Sequence, residues 1–75
     1  MRVRILAMIV RYRMLDLYQV ARYADIKPTE AAAILEGLCA EDFIDRVSGS
    51  RAYQATLRGA IEVGVMNSRA MSPLK

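Results

Sequence analysis

The 75-residue sequence contains no histidine, no tryptophan and a single cysteine, Cys39. One cysteine excludes a disulfide within the chain, and without histidine too few ligands remain for a zinc site. The lack of histidine also removes the commonest general base, and the sequence shows neither a glycine-rich phosphate loop nor a nucleophile beside a base. We therefore predict a protein that is not an enzyme and that holds no metal and no cofactor.

Long hydrophobic runs are absent as well. The apolar run near the start, "ILAMIV", has six residues, too few for the hydrophobic part of a signal peptide or for a membrane span. A lone thiol is typical of a reducing compartment, so we expect a cytoplasmic protein without membrane contact. A chain this short forms one small domain, residues 1–75, and we predict an ordered core at about 3–66 and a frayed tail at 67–75.

The net charge of +3 is unevenly distributed. Residues 1–14 and 46–75 are basic. The segment 27–45 is acidic, because it contains one basic residue, Lys27, and five carboxylates: Glu30, Glu36, Glu41, Asp42 and Asp45. Basic proteins often bind nucleic acid. In this chain the basic footprint would have to come from the two ends.

Hydrophobic spacing predicts a first helix over residues 2–13 with two apolar faces, separated by rows of arginine. One face, which would cover the core, contains Val3, Leu6, Ala7, Val10 and Met14. We predict that the other face forms a dimer or partner interface; it contains Ile5, Met8, Ile9 and Tyr12. The alternative is that this short helix is central and buried on both sides.

Local signals define the next two helices. Asp16 is a good N-cap, and Gln19 three residues later makes a variant of the capping box. The second helix ends near Asp25, and Pro28 suits the first position of a third helix, where its missing N–H has no partner. The inward stripe of the third helix is predicted to be Ala31, Leu35 and Leu38.

After "CAED" the period changes, and "FIDRV" and "RAYQATL" read as two strands around a turn that contains Gly49. Thr56 then caps a last helix, in which Leu57, Ile61 and Val65 align on one face. The predicted fold is mainly α with a small β-hairpin (α+β), in the order helix, helix, helix, β-hairpin, helix.

The segments "LDLYQVARYADIKPTEAAAILEGLCAEDFIDRV" and "SGSRAYQATLRGAIEV" resemble the winged helix-turn-helix family, especially small regulators of the MarR and PadR kind. The resemblance covers about residues 3–65. Asp16 stands at the family's threonine cap, Ile26 at the buried pivot, and "TLRG" where "LTxxGR" usually stands. Asp25 and Asp42 occupy positions where glycine is common, and aspartate tolerates the left-handed conformation.

The resemblance implies a transcriptional regulator that binds double-stranded DNA, with the third helix in the major groove and the hairpin, or wing, on the phosphates. Thr29 can meet a phosphate, Glu30 can accept from cytosine, and Ala32 or Ala33 can touch a thymine methyl. The predicted DNA-binding residues are Lys27, Thr29, Glu30, Ala32, Ala33, Arg46, Ser48, Ser50 and Arg51. We expect two copies to pair through the outer face of the first helix, with the last helix as a further candidate.

The third helix carries no basic residue after Lys27, although base-reading side chains are usually hydrogen-bond donors. An alternative hypothesis is therefore a protein-binding winged helix, an adaptor or inhibitor such as an accessory or phage-type factor. It would use the acidic, alanine-rich third helix or the outer face of the first.

Overall fold

The computed structural model describes the backbone of residues 1–71 and the side chains through residue 66. In this part of the chain, four helices and a three-stranded antiparallel sheet form an α+β domain, an arrangement compatible with a winged helix. The elements are α1 (Arg2–Tyr12), β1 (Met14–Asp16), α2 (Leu17–Ala24), α3 (Pro28–Ala40), β2 (Ile44–Arg46), β3 (Ala52–Ala55) and α4 (Leu57–Met71).

The sheet has the strand order β1-β3-β2, so β3 is its centre. Tyr53 lies opposite Leu15 on one side and opposite Arg46 on the other. The predicted order of elements was wrong in one respect, because β1 lies between the first two helices. Arg13, with φ 74°, ends α1, and the three residues that follow are too few to show a strand period.

Helix α1 is central, which overturns half of its predicted outer face. Ile5 and Ile9 are fully buried rather than available to a partner, because α4, β3, α2 and α3 all pack around this short helix. Met8 is half-buried and Tyr12 is 54% exposed, so these two still reach the surface.

The predicted helix ends are confirmed where the signals are local. The Gln19 N–H donates to Asp16 Oδ1 at 2.8 Å, and the Asp16 N–H donates to Gln19 Oε1 at 3.0 Å, which completes the capping box. Asp25 and Asp42 adopt the left-handed conformation, with φ values of 59° and 66°. Aspartate therefore takes the glycine-like role expected of it at both turns.

Helix α3 begins at Pro28, as its position predicted. The Lys27 N–H just before it donates to Glu30 Oε1 at 3.3 Å, which satisfies one of the free N–H groups at this end. The predicted inward stripe is confirmed, since Ala31, Leu35 and Leu38 are buried. The opposite side of α3 therefore faces outward.

The apolar stripe that the sequence aligns on α4 is not the face that packs on the core. Leu57, Ile61 and Val65 are 78%, 57% and 43% exposed, whereas Gly59 and Val63 are buried. Thr56 caps the helix as expected, accepting from the Gly59 N–H at 3.1 Å. The choice of face follows from Gly59, whose missing side chain lets α4 approach the backbone at Phe43.

Helix α4 continues to Met71. The predicted frayed tail at 67–75 stays a prediction, and its last four residues lie outside the described part of the chain. Between Leu57 and Met71 the sequence contains no proline that would interrupt this helix. None of the described helices is both long and apolar enough to span a bilayer.

Candidate nucleic-acid interface

The outward side of α3 is short-chained and acidic. Thr29, Glu30, Ala33 and Glu36 are exposed, and Ala32 is half-buried. Small side chains let another surface approach the helix backbone closely, but the two carboxylates repel a polyanion. The affinity of this face for DNA would therefore have to come from residues beside α3.

The β2–β3 hairpin presents two exposed arginines near its turn. Arg46 ends β2, Arg51 immediately precedes β3, and both side chains are exposed. Gly49, with φ 76°, permits the tight turn between them. Ser48 is exposed, and Ser50 Oγ accepts from the Ala52 N–H at 3.0 Å, so this hydroxyl holds the turn.

A groove of about 370 Å³ separates α3 from the hairpin, and we call it the α3–hairpin groove. It brings together Ala32 and Arg46, two of the predicted DNA-binding residues, and it also contains Glu36. An anion entering here meets one guanidinium and one carboxylate. The lining residues are Leu17, Ala32, Glu36, Cys39, Arg46 and Tyr53.

A second groove of about 350 Å³ adjoins the first, and we call it the α2–hairpin groove. Arg46 lines both grooves, and its guanidinium carbon lies 5.8 Å from the centre of the Tyr53 ring. This cation–π contact holds the arginine between the two grooves. The lining residues are Asp16, Leu17, Tyr18, Arg46, Arg51 and Tyr53.

The remaining predicted residues are not brought into these grooves. Lys27, Thr29 and Glu30 are exposed at the N-terminal end of α3, and Ala33 is exposed further along the helix. The structure therefore divides the predicted site into the start of α3, with its free N–H groups, and the grooves beside Arg46.

Sequence reasoning missed Leu17 and Tyr18 as parts of the site. Both follow β1, and the pairing of β1 with β3 brings the start of α2 beside the hairpin. Tyr18 is 63% exposed, so its ring is open to a ligand in this groove. Only a prediction of β1 would have revealed this neighbourhood.

Cys39 lies half-buried in the α3–hairpin groove. Burial raises the pKa of its thiol, and the nearby Asp45 and Glu36 carboxylates raise it further, while Arg46 opposes them. The side chain is therefore a neutral thiol near pH 7, where it lines the groove as a small apolar group.

Among the residues whose side chains are described, no three histidine, cysteine, aspartate or glutamate side chains are placed to hold a metal ion. A comparison of the chain with models of known protein families gives no match, and a search of curated proteins finds no relative. The function of the chain must therefore be inferred from its fold and from this surface.

Proposed function

We propose that the chain is a winged-helix transcriptional regulator that binds double-stranded DNA. The observation that carries this proposal is the placement of Arg46, which faces α3 across one groove and stands beside Arg51 in the next. A helix and an arginine-bearing hairpin on the same surface supply the two parts of winged-helix binding, one for the major groove and one for the phosphates.

The chemistry of the two parts implies weak sequence discrimination. Glu30 can accept a hydrogen bond from a cytosine amino group, and Ala33 can contact a thymine methyl, but α3 offers no bidentate donor to a base. Lys27, Arg46 and Arg51 would contact phosphates, so most of the affinity would be electrostatic. Neutralising about three phosphates per domain gives a slope of about −3 for log affinity against log salt concentration.

The test is fluorescence anisotropy with a labelled random duplex, titrated between about 50 and 200 mM salt. Replacing Arg46 and Arg51 together by alanine is expected to weaken binding at least tenfold at low salt and to reduce the slope by about two. The matched control replaces Arg4 and Arg11, which removes the same charge from another surface. The proposal fails if the wild-type protein does not bind at low salt, or if both double variants weaken binding equally.

The homodimer expected of such a regulator needs an interface other than the one predicted on α1. With Ile5 and Ile9 in the core, only Met8 and Tyr12 of the predicted α1 interface remain at the surface. The exposed Leu57, Ile61 and Val65 form an uncharged stripe on α4, so two copies could pack there about a two-fold axis without opposing like charges. We propose α4 pairing in place of α1 pairing.

Sedimentation velocity tests the pairing. Ile61→Ser is expected to shift the protein from dimer to monomer without lowering the stability of the monomer, because the side chain is exposed. Tyr18→Ser is the matched control, since it removes an exposed apolar side chain from α2 and leaves α4 unchanged. A wild-type protein that stays monomeric at high concentration would refute α4 pairing.

A second candidate function follows from the exposed carboxylates of Glu30 and Glu36. They would suit α3 to a basic protein surface, as an adaptor or inhibitor would require. Pull-down from a lysate, with and without nuclease treatment, tests this candidate, with Glu30→Gln and Glu36→Gln combined as the variant. A stoichiometric protein partner that survives nuclease treatment and is lost with the variant supports it, and recovery of nucleic acid alone from the untreated lysate contradicts it.

A further inference from the structure

A groove of about 410 Å³ lies between α1 and α2, and we call it the α1–α2 groove. It shares no lining residue with the two grooves beside the hairpin. The surface that we assign to DNA does not include it. Its lining residues are Arg4, Ala7, Met8, Arg11, Tyr12 and Tyr23.

The charge of this groove is entirely positive. Arg4 and Arg11 both line it, and none of the lining residues is acidic. Their separation of seven positions places their Cα atoms about 10.5 Å apart along α1. The ion pair found among the described side chains, between Arg2 and Glu41, lies elsewhere, so a ligand would supply the carboxylates that these arginines lack.

The surface between the arginines is apolar and adaptable. The rings of Tyr12 and Tyr23 lie with their centres 5.6 Å apart, at an angle of 37°, and are 54% and 49% exposed. Met8 is half-buried between them and Arg4 along α1. Methionine and tyrosine are well suited to receiving an apolar side chain, because one is flexible and the other offers a flat ring.

The charges of Arg4 and Arg11 favour one of three classes of ligand for this groove. A second copy placed here about a two-fold axis would bring four arginines together, which disfavours self-association. Duplex DNA would satisfy the arginines but would leave Met8 and the two rings without an apolar contact. An acidic polypeptide segment would satisfy both.

We propose that the α1–α2 groove binds an acidic segment of another protein, in which carboxylates flank an apolar side chain. The carboxylates pair with Arg4 and Arg11, and the apolar side chain packs on Met8, Tyr12 and Tyr23. The site acts independently of DNA binding, so a regulator could hold such a segment while its other surface holds DNA.

The probe is a fluorescein-labelled peptide, EEDLFDDLEE, titrated with the full chain and followed by anisotropy at low salt. We expect saturable binding that weakens about tenfold when Arg4 and Arg11 are both replaced by alanine, since each exposed ion pair contributes modestly. The matched control is Arg46→Ala with Arg51→Ala, which removes the same charge and is expected to leave peptide binding unchanged. The far-ultraviolet circular dichroism of both variants verifies that they fold.

Two further peptides separate the two contributions. QQNLFNNLQQ keeps the apolar side chains without charge, and EEDSSDDSEE keeps the charge without apolar side chains; both are expected to bind more weakly. The proposal is overturned if EEDSSDDSEE binds as well as the parent peptide, if the two double variants weaken binding equally, or if no saturation occurs up to about 1 mM. A competition with duplex DNA uses the Arg46→Ala, Arg51→Ala variant, which lacks the hairpin arginines. If DNA displaces the peptide from this variant, the α1–α2 groove binds nucleic acid and the proposal is overturned. Failure of the wild-type protein to bind DNA would leave the peptide result unaffected.

Discussion

Replacing Gly59 by alanine tests how closely α4 packs on the chain that precedes β2. A Cβ atom at this position would overlap the carbonyl oxygen of Phe43, and it would lie 3.0 Å from the carbonyl carbon and 3.3 Å from Leu6 Cδ1. The same carbonyl accepts a hydrogen bond from the Thr56 N–H at 3.0 Å. The backbone therefore cannot withdraw from the new methyl group without losing that bond.

Three effects determine how much stability Gly59→Ala loses. Forcing an extra methyl group into a packed site costs about 1–3 kcal/mol, and losing the hydrogen bond costs about 1 kcal/mol. The higher helix propensity of alanine returns at most about 1 kcal/mol. We expect the free energy of unfolding to fall by about 2 kcal/mol, which lowers the Tm of a domain of this size by about 10 °C.

Urea unfolding followed by circular dichroism measures this change. Gly37→Ala and Gly64→Ala are the matched controls, because a Cβ atom at either position meets no other group within 4 Å. Both controls are expected to raise the free energy of unfolding by about 0.5–1 kcal/mol through helix propensity. If Gly59→Ala is as stable as the wild-type protein, the close contact between α4 and Phe43 is wrong.

Three other predictions concern single positions. Arg13→Gly should stabilise the protein by about 1 kcal/mol in urea unfolding, because φ 74° is strained for arginine, and a loss of stability would contradict the turn conformation. Asp16→Ala should destabilise it by about 1 kcal/mol through loss of the N-cap, and an unchanged midpoint would argue against the capping box. Cys39 should react with a disulfide reagent more slowly than free cysteine near pH 8, because its pKa is raised. Compared with the wild-type protein, the reaction should be faster in Asp45→Asn, which lowers the thiol pKa, and slower in Arg46→Ala, which raises it. The stabilisation linked to the Cys39 thiol is complete below the pKa of a free thiol and is lost as the pH rises through the raised pKa of the folded protein; alkaline unfolding that is identical in Cys39→Ala would contradict this linkage.

Where the sequence predicted the fold correctly, the information was local. Asp16 and Gln19 are three residues apart and contact only each other's backbone, and Pro28 needs only a free position at a helix start. Aspartate at 25 and 42 was expected to accept left-handed turns, and both residues do so. These features depend on a few neighbouring residues, which a sequence displays directly.

The errors arose where distant segments decide the outcome. Periodicity showed two apolar faces on α1 but could not show that Ile5 and Ile9 of the outer face would be covered by other elements. It aligned Leu57, Ile61 and Val65 on one face of α4 but could not show that this face is exposed. The buried face depends instead on Gly59 and its contact with Phe43, sixteen residues earlier in the sequence.

The candidate site was predictable in part for the same reason. Residue type identified Arg46 and Arg51, because exposed arginines around a turn are visible in the sequence. The neighbourhood of Leu17 and Tyr18 was not visible, since it depends on the pairing of β1 with β3. The α1–α2 groove likewise depends on the meeting of Tyr12 and Tyr23 from separate helices.

The central place of β3 has a consequence for how the hairpin meets a ligand. Strands pair with β3 on both sides, so the hairpin is held at its base and cannot swing as a free arm. Only the tip, residues 47–51, lies beyond the paired strands, where the Ser50 N–H donates to the Val47 carbonyl at 3.1 Å and closes the turn. Adaptation to a ligand is thereby confined to a few residues around Gly49, whereas Arg46, the last residue of β2, is fixed by its pairing with Tyr53.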